Sequence, residues 1–264
     1  MVLRRSGLLV VMFFFLLAGI SSGGNGSEEH YFKGIEYASE GKFIQAREAF
    51  KEALKIDPRN SPSKYSLKVT NDAINSKVKK EAVTHYFKAL AFVNKGMGDE
   101  SISEYTRFIE IEPGYADAYF NRGSAYDTKG QYDRALSDYT KAIKIDPKHA
   151  DAYSNRGSAY RKKGTYDLAL SDYKKAIKID PNHAYAYFNR GNAYNAQGKY
   201  DLAISDYTKA IEIEPGYVVA YNNRGLIYMV KMSEKTKACT DWELACKLGD
   251  CRNYEVAKKK KDCG

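Results

Sequence analysis

The 264-residue chain has little of what catalytic and metal sites are built from. It contains four histidines and four cysteines, and no two cysteines form a Cys-x-x-Cys pair. His30, His85, His149 and His183 make no metal-spaced set with glutamate, and no glycine-rich phosphate loop or nucleophile with an adjacent base occurs. The expectation is therefore a protein that is not an enzyme, with no cofactor and no metal. Charge of one sign is also missing. The chain has 42 Lys and Arg against 33 Asp and Glu, a formal net charge of +9, and the two signs alternate. Nucleic-acid binding needs a continuous basic stripe with exposed aromatics, so no nucleic-acid partner is expected. The Lys258–Lys261 run reads as a solvated face near the negative end of the last helix.

Long apolar runs are absent except at the start. Arg4 and Arg5 precede an uncharged run from Gly7 to Ile20, and Ser21, Ser22 and Gly23 follow. A basic start, a short apolar middle and a small-residue exit describe a secretory signal peptide over residues 1–23. The run is shorter than the ~20 apolar residues a membrane span requires. No cysteine stands after it to take a lipid anchor. Export to a periplasmic or secreted location is the expectation, and removal of the signal leaves a charge of about +7. An uncleaved signal anchor is the alternative, and only then is membrane contact expected.

Of six prolines, Pro113, Pro147, Pro181 and Pro215 fall 34 residues apart. Pro147, Pro181 and Pro215 each close a stretch that begins Ala-Tyr-x-Asn-Arg-Gly-x-Ala-Tyr and ends Lys-Ala-Ile-x-Ile-Asp/Glu-Pro, and Pro113 closes a weaker copy that keeps Gly96 and Tyr105. Tyr119, Gly123 and Tyr126 are spaced i, i+4, i+7 on one helix face, and Ala135, Tyr139 and Ala142 repeat the spacing on a returning helix. Gly130 can adopt the positive φ that ends the first helix, and Pro147 cannot continue the second. On these residues the chain resembles the tetratricopeptide repeat (TPR) family, whose unit is a 34-residue helix–turn–helix. The resemblance implies an all-α fold, an α-solenoid forming a right-handed superhelix of about six units.

The repeat frame sets the expected organisation. After the signal come a first repeat at 27–60, a helical insert at 61–81, and repeats at 82–115, 116–149, 150–183 and 184–217. A degenerate sixth repeat spans 218–252, slipped by one residue before Ala238, Asp241, Trp242 and Ala245, and a basic, cysteine-containing cap spans 253–264. Leu67, Ile74 and Val78 give the insert its near-helical spacing.

Within the repeats, Arg122 with Asp138, Arg156 with Asp172 and Arg190 with Asp206 stand sixteen residues apart and read as structural ion pairs between the two helices of each hairpin. Lys88 and Glu104 occupy the same places in the 82–115 copy. Asn121, Asn155, Asn189 and Asn223 lie off the hairpin's own core face, with Phe120, Phe188, Ser124, Ser158 and Asn192 beside them. The family resemblance implies that this side of the first helices lines a groove. An asparagine there offers a donor and an acceptor to a peptide backbone, or else bonds its neighbours along the stack. The cations of a carboxylate clamp are missing, since Asp117, Asp151 and Tyr185 or Phe120, Ser154 and Phe188 stand in those places.

Cys239, Cys246, Cys251 and Cys263 form an even set at the end of an exported-looking chain and read as two disulfides. Cys239 and Cys246 are two helical turns apart, about 10.5 Å, too far to bridge each other. Either 246–251 with 239–263 or 239–251 with 246–263 satisfies the spacing. The function expected is a scaffold or adaptor that binds a protein or peptide in the groove, in an extracytoplasmic compartment. The alternative is a structural subunit of an envelope or secretion assembly that makes its contacts through its ends or convex face.

Overall fold

Fourteen α-helices and no strand make up the described residues, 26–58 and 60–263 of a computed structural model. The signal-like segment lies outside them. No described helix is long and apolar enough to cross a membrane. The chain divides into two compact units at Pro147/Lys148.

The first unit holds α1 (Gly26–Ser39), α2 (Phe43–Ile56), α3 (Ser61–Ile74), α4 (Lys80–Asn94), α5 (Gly98–Ile111), α6 (Ala116–Thr128) and α7 (Tyr132–Ile145). Helices α1/α2, α4/α5 and α6/α7 are antiparallel hairpins, and α3 packs on α2 and α4. Asn60 caps α3 by accepting from the Ser63 N–H at 2.9 Å, and its Nδ2 donates to Ser27, which donates to Ala53 O. The buried face of α3 is Ser63, Ser66, Val69, Thr70 and Ala73, while Leu67 and Ile74 are only half-buried. Tyr65 turns toward Tyr86 of α4, ring centroids 6.3 Å apart.

The second unit holds α8 (Ala150–Lys162), α9 (Tyr166–Ile179), α10 (Ala184–Ala196), α11 (Tyr200–Ile213), α12 (Val218–Val230), α13 (Lys235–Lys247) and α14 (Arg252–Lys259). Three hairpins, α8/α9, α10/α11 and α12/α13, stack in order, and α14 folds back on α13.

One joint recurs inside the hairpins. A small residue on the first helix lets an aromatic of the second press against its backbone. A Cβ built at Gly157 would stand 2.8 Å from the Tyr173 ring, and at Gly191 2.9 Å from Tyr207. Gly225 faces Trp242 instead, and Gly34 faces Phe50. Tyr105, Tyr139, Tyr173 and Tyr207 are fully buried at this joint, and burial pushes the Tyr173 and Tyr207 hydroxyls up to about 12. Turns between the paired helices of five hairpins follow one glycine chemistry, while in the α12/α13 turn Ser233 takes the positive φ. Gly130 sits at φ +72°, its N–H bonds Asp127 O, and Gln131 N–H bonds Tyr126 O, which satisfies the last carbonyls of α6.

Candidate protein-interaction site

The arginine–aspartate pairs are two-point bonds across each hairpin. Arg122 Nε and Nη2 donate to the two Asp138 oxygens, both at 2.8 Å. Arg156 does the same to Asp172 at 2.7 and 2.8 Å, and Arg190 to Asp206 at 2.8 and 2.7 Å. A fourth pair, Arg224 with Asp241, forms at 2.9 and 2.7 Å across 17 residues, because the one-residue slip of the last repeat falls between them. Each guanidinium also lies over tyrosine rings: Arg156 is 5.6 Å from the Tyr153 centroid and 6.0 Å from Tyr160. The Asp172 hydrogen bond holds the Arg156 pKa above its ordinary value against the opposing pull of burial. These residues fix the helices and are not free to meet a ligand.

The expected Lys88–Glu104 pair does not form. Lys88 is exposed, and Glu104 instead takes His85 Nδ1 at 2.6 Å and Arg107 at 3.0 Å. His85 stands one turn N-terminal to Lys88, where the four later repeats carry a tyrosine, and its shorter side chain reaches Glu104 directly. His149 and His183, in the sequence mere loop residues, are the N-caps of α8 and α10. Their Nδ1 atoms accept from the Ala152 and Ala186 N–H groups at 3.3 and 3.4 Å.

The groove set needs the larger correction. Asn121 is 3% exposed and donates to Tyr86 O–H at 2.8 Å, and Asn189 is 3% exposed and donates to Tyr185 O at 2.9 Å. Phe120, Ser124 and Ser158 are buried too, and the Ser124 and Ser158 hydroxyls bond back to Phe120 O and Ser154 O. The reason is the neighbouring hairpin, which covers much of a face that a single hairpin leaves open. Asn155, Phe188, Asn192 and Asn223 remain half-buried. Asn223 Nδ2 donates to Asn192 Oδ1 at 3.0 Å, and the same oxygen accepts from Tyr207 O–H at 2.7 Å. Asn121 and Asn223 thus bond neighbouring repeats and Asn189 its own helix, and the partly open patch is smaller than the sequence suggests.

The cysteines pair as Cys239–Cys263 and Cys246–Cys251, and no described cysteine is free. The first bridge ties the chain end to the start of α13, and Cys263 is buried with Ala238, Trp242 and Ala257. Asp250, between α13 and α14, accepts from Arg252 at 2.8 Å and from Asn222 at 2.9 Å. Chiefly through Arg252, its carboxyl is held down at about 2. No group of His, Cys, Asp and Glu among the described residues is placed to hold a metal ion.

A stack of helical hairpins fixed by glycine–aromatic joints and arginine–aspartate clamps defines a repeat-built interaction scaffold. Models of the tetratricopeptide repeat match residues 27–60, 116–149, 138–171 and 184–217, and a TPR repeat model matches 157–197, together more than half of the chain. The chain belongs to the tetratricopeptide repeat family. Among solved structures, MamA from residue 41 to its end, from Desulfovibrio magneticus RS-1, is 23% identical with a TM-score of 0.57, the match covering 64% of this chain and 94% of that one. YrrB, a TPR protein with an unusual peptide-binding site, is 24% identical with a TM-score of 0.53, over 72% and 97%. At these identities the likeness speaks for the α-solenoid fold alone. No curated protein matches the chain.

Proposed function

We propose that the protein is a non-catalytic scaffold of an extracytoplasmic compartment that holds a protein or peptide partner against the first helices of its repeats. The observation that carries the reading is the half-buried set Asn155, Phe188, Asn192 and Asn223 on α8, α10 and α12, which combines amide donors and acceptors with an aromatic surface. The paired cysteines support the compartment, since such bridges persist where the surroundings oxidise. The test is the double variant Asn155→Ala, Asn223→Ala, with partner capture from the native compartment read by mass spectrometry. Loss of a partner that the parent protein retains supports the reading; an unchanged partner set overturns it.

A second reading has its own observation. The last repeat and cap expose Leu226, Val230, Leu244 and Val256, with Val230 and Val256 each more than half exposed. A structural subunit would use that end. Val230→Asp with Val256→Asp then abolishes capture while the asparagine variant leaves it intact.

A further inference from the structure

One position breaks the arginine pattern. Arg122 Nη1 donates to Thr106 on the preceding second helix at 3.0 Å, and Arg224 Nη1 donates to Thr208 at 2.8 Å. Thr106, Thr140, Lys174 and Thr208 stand 34 residues apart, so α9 offers a cation where α5, α7 and α11 offer a hydroxyl. Arg190 keeps its two bonds to Asp206, but its Nη1 has no acceptor among the described residues.

Lys174 has company. Lys175 and Lys178 are also exposed, and none of the three has an acidic partner among the described residues. On α11 the places of Lys175 and Lys178 are held by Lys209 and Glu212, which pair with each other at 3.0 Å. With Tyr153, Arg156 and Asp172, the three lysines line an open cleft of about 410 Å³ on the α8/α9 hairpin. Asp172 is already committed to Arg156, so three positive charges there stay uncompensated.

The shape of this charge selects the ligand. A single inorganic ion would leave most of such an open cleft to water. Lys174 and Lys178 are four residues apart on a helix, about 6 Å along its axis. Side chains two residues apart on an extended peptide recur at roughly 6.6 Å. We propose that this cleft binds an extended acidic segment of a partner protein, with Asp or Glu at alternate residues seated on Lys174 and Lys178. The site rests on the scaffold reading but is built by the second helix α9, not by the half-buried asparagines.

The experiment is fluorescence anisotropy of the full-length oxidised protein with a labelled, C-terminally amidated peptide of alternating glutamate and serine. Lys174→Thr introduces the residue found at this position on α5, α7 and α11 and gives Arg190 its acceptor. It should weaken peptide binding about threefold, in keeping with one partly screened charge, without lowering the thermal midpoint. Lys174→Thr with Lys175→Gln and Lys178→Gln should weaken it tenfold or more and flatten its salt dependence. Circular dichroism checks that both variants fold, and the single variant stands if the triple does not. Undiminished binding by either folded variant overturns the proposal. So does an equal loss when Lys258–Lys261 are changed to Gln instead, or a heparin fragment or RNA oligomer that binds α9 while the peptide does not. The Asn155→Ala, Asn223→Ala variant should bind the peptide like the parent protein, so a failure of the asparagine patch and a failure of this cleft give different results.

Discussion

Arg156 is bonded at two points to a carboxylate and lies over two tyrosine rings, so its energetic weight comes from what is left behind when it goes. Asp172 is buried, and an unpaired buried carboxylate is costly. Arg156→Asp should destabilise the protein by about 3–5 kcal/mol, and adding Asp172→Arg should recover part of it. A chemical denaturation cycle checks the coupling, and purely additive losses would show two independent residues. Gly157 tests packing at the same joint. The Cβ of Gly157→Ala meets the Tyr173 ring at 2.8 Å, and a fully buried ring has little room to retreat. The expected loss is about 1–3 kcal/mol, whereas an alanine at Gly216, where nothing lies within 4 Å, should cost far less. Asp250 gives the pH dependence. Its folded-state pKa of about 2 lies below the ordinary value of 3.8, so its contribution is present above roughly pH 4 and is lost as pH falls toward 2. A carboxyl titration followed by NMR should show its midpoint near 2 and a return toward 4 in Arg252→Ala.

At the scale of the helices, the α12/α13 hairpin packs against α14, and two bridges tie that arrangement together. Reducing Cys239–Cys263 opens a loop of 24 residues, worth about 3 kcal/mol on a chain-entropy estimate. Because repeats contact mainly their neighbours, the loss should stay within α13 and α14. Hydrogen exchange of the reduced protein should show faster exchange over 235–263 and unchanged protection over α8 to α11; uniform loss of protection would contradict a local staple. The same locality explains what could be read in advance. The 34-residue period, the Gly130 turn, and the Arg–Asp clamps depend on contacts inside one hairpin, where spacing alone decides which side chains meet. The burial of Asn121 and Asn189 is not legible in the sequence because it depends on other chain segments, Tyr86 of another repeat in the first case. The partner of Glu104 is hidden for a related reason: the repeat frame points to Lys88, while the fold places His85 against it. The Lys174 substitution was visible in the sequence, but its meaning appears only once Arg122 and Arg224 are seen to bond the threonines at that position.

For the whole molecule, a repeat array predicts that parts fold without the rest. Residues 148–264 hold three hairpins, both disulfides and four fully buried or nearly buried aromatic anchors in Tyr173, Tyr207, Tyr221 and Trp242. The segment has the size of an ordinary small domain and holds buried clusters in each of its hairpins. Expressed alone under oxidising conditions, this segment should be helical and unfold cooperatively, and Arg190→Asp should lower its midpoint as it does in the full chain. An unfolded fragment would mean that the first unit is needed to hold the second. The same oxidised fragment bears on the compartment. If the protein is exported, material from its native source should carry no thiol that labels after denaturation without reduction, and its intact mass should begin near Ser22 or Gly23. Four labelled thiols, or a mass that retains Met1 to Ile20, would place the protein in a reducing compartment or on an uncleaved anchor. The thiol and mass measurements are independent, because one reads the chain's last repeat and the other its first 23 residues. Agreement between them would therefore establish export from both ends of the molecule.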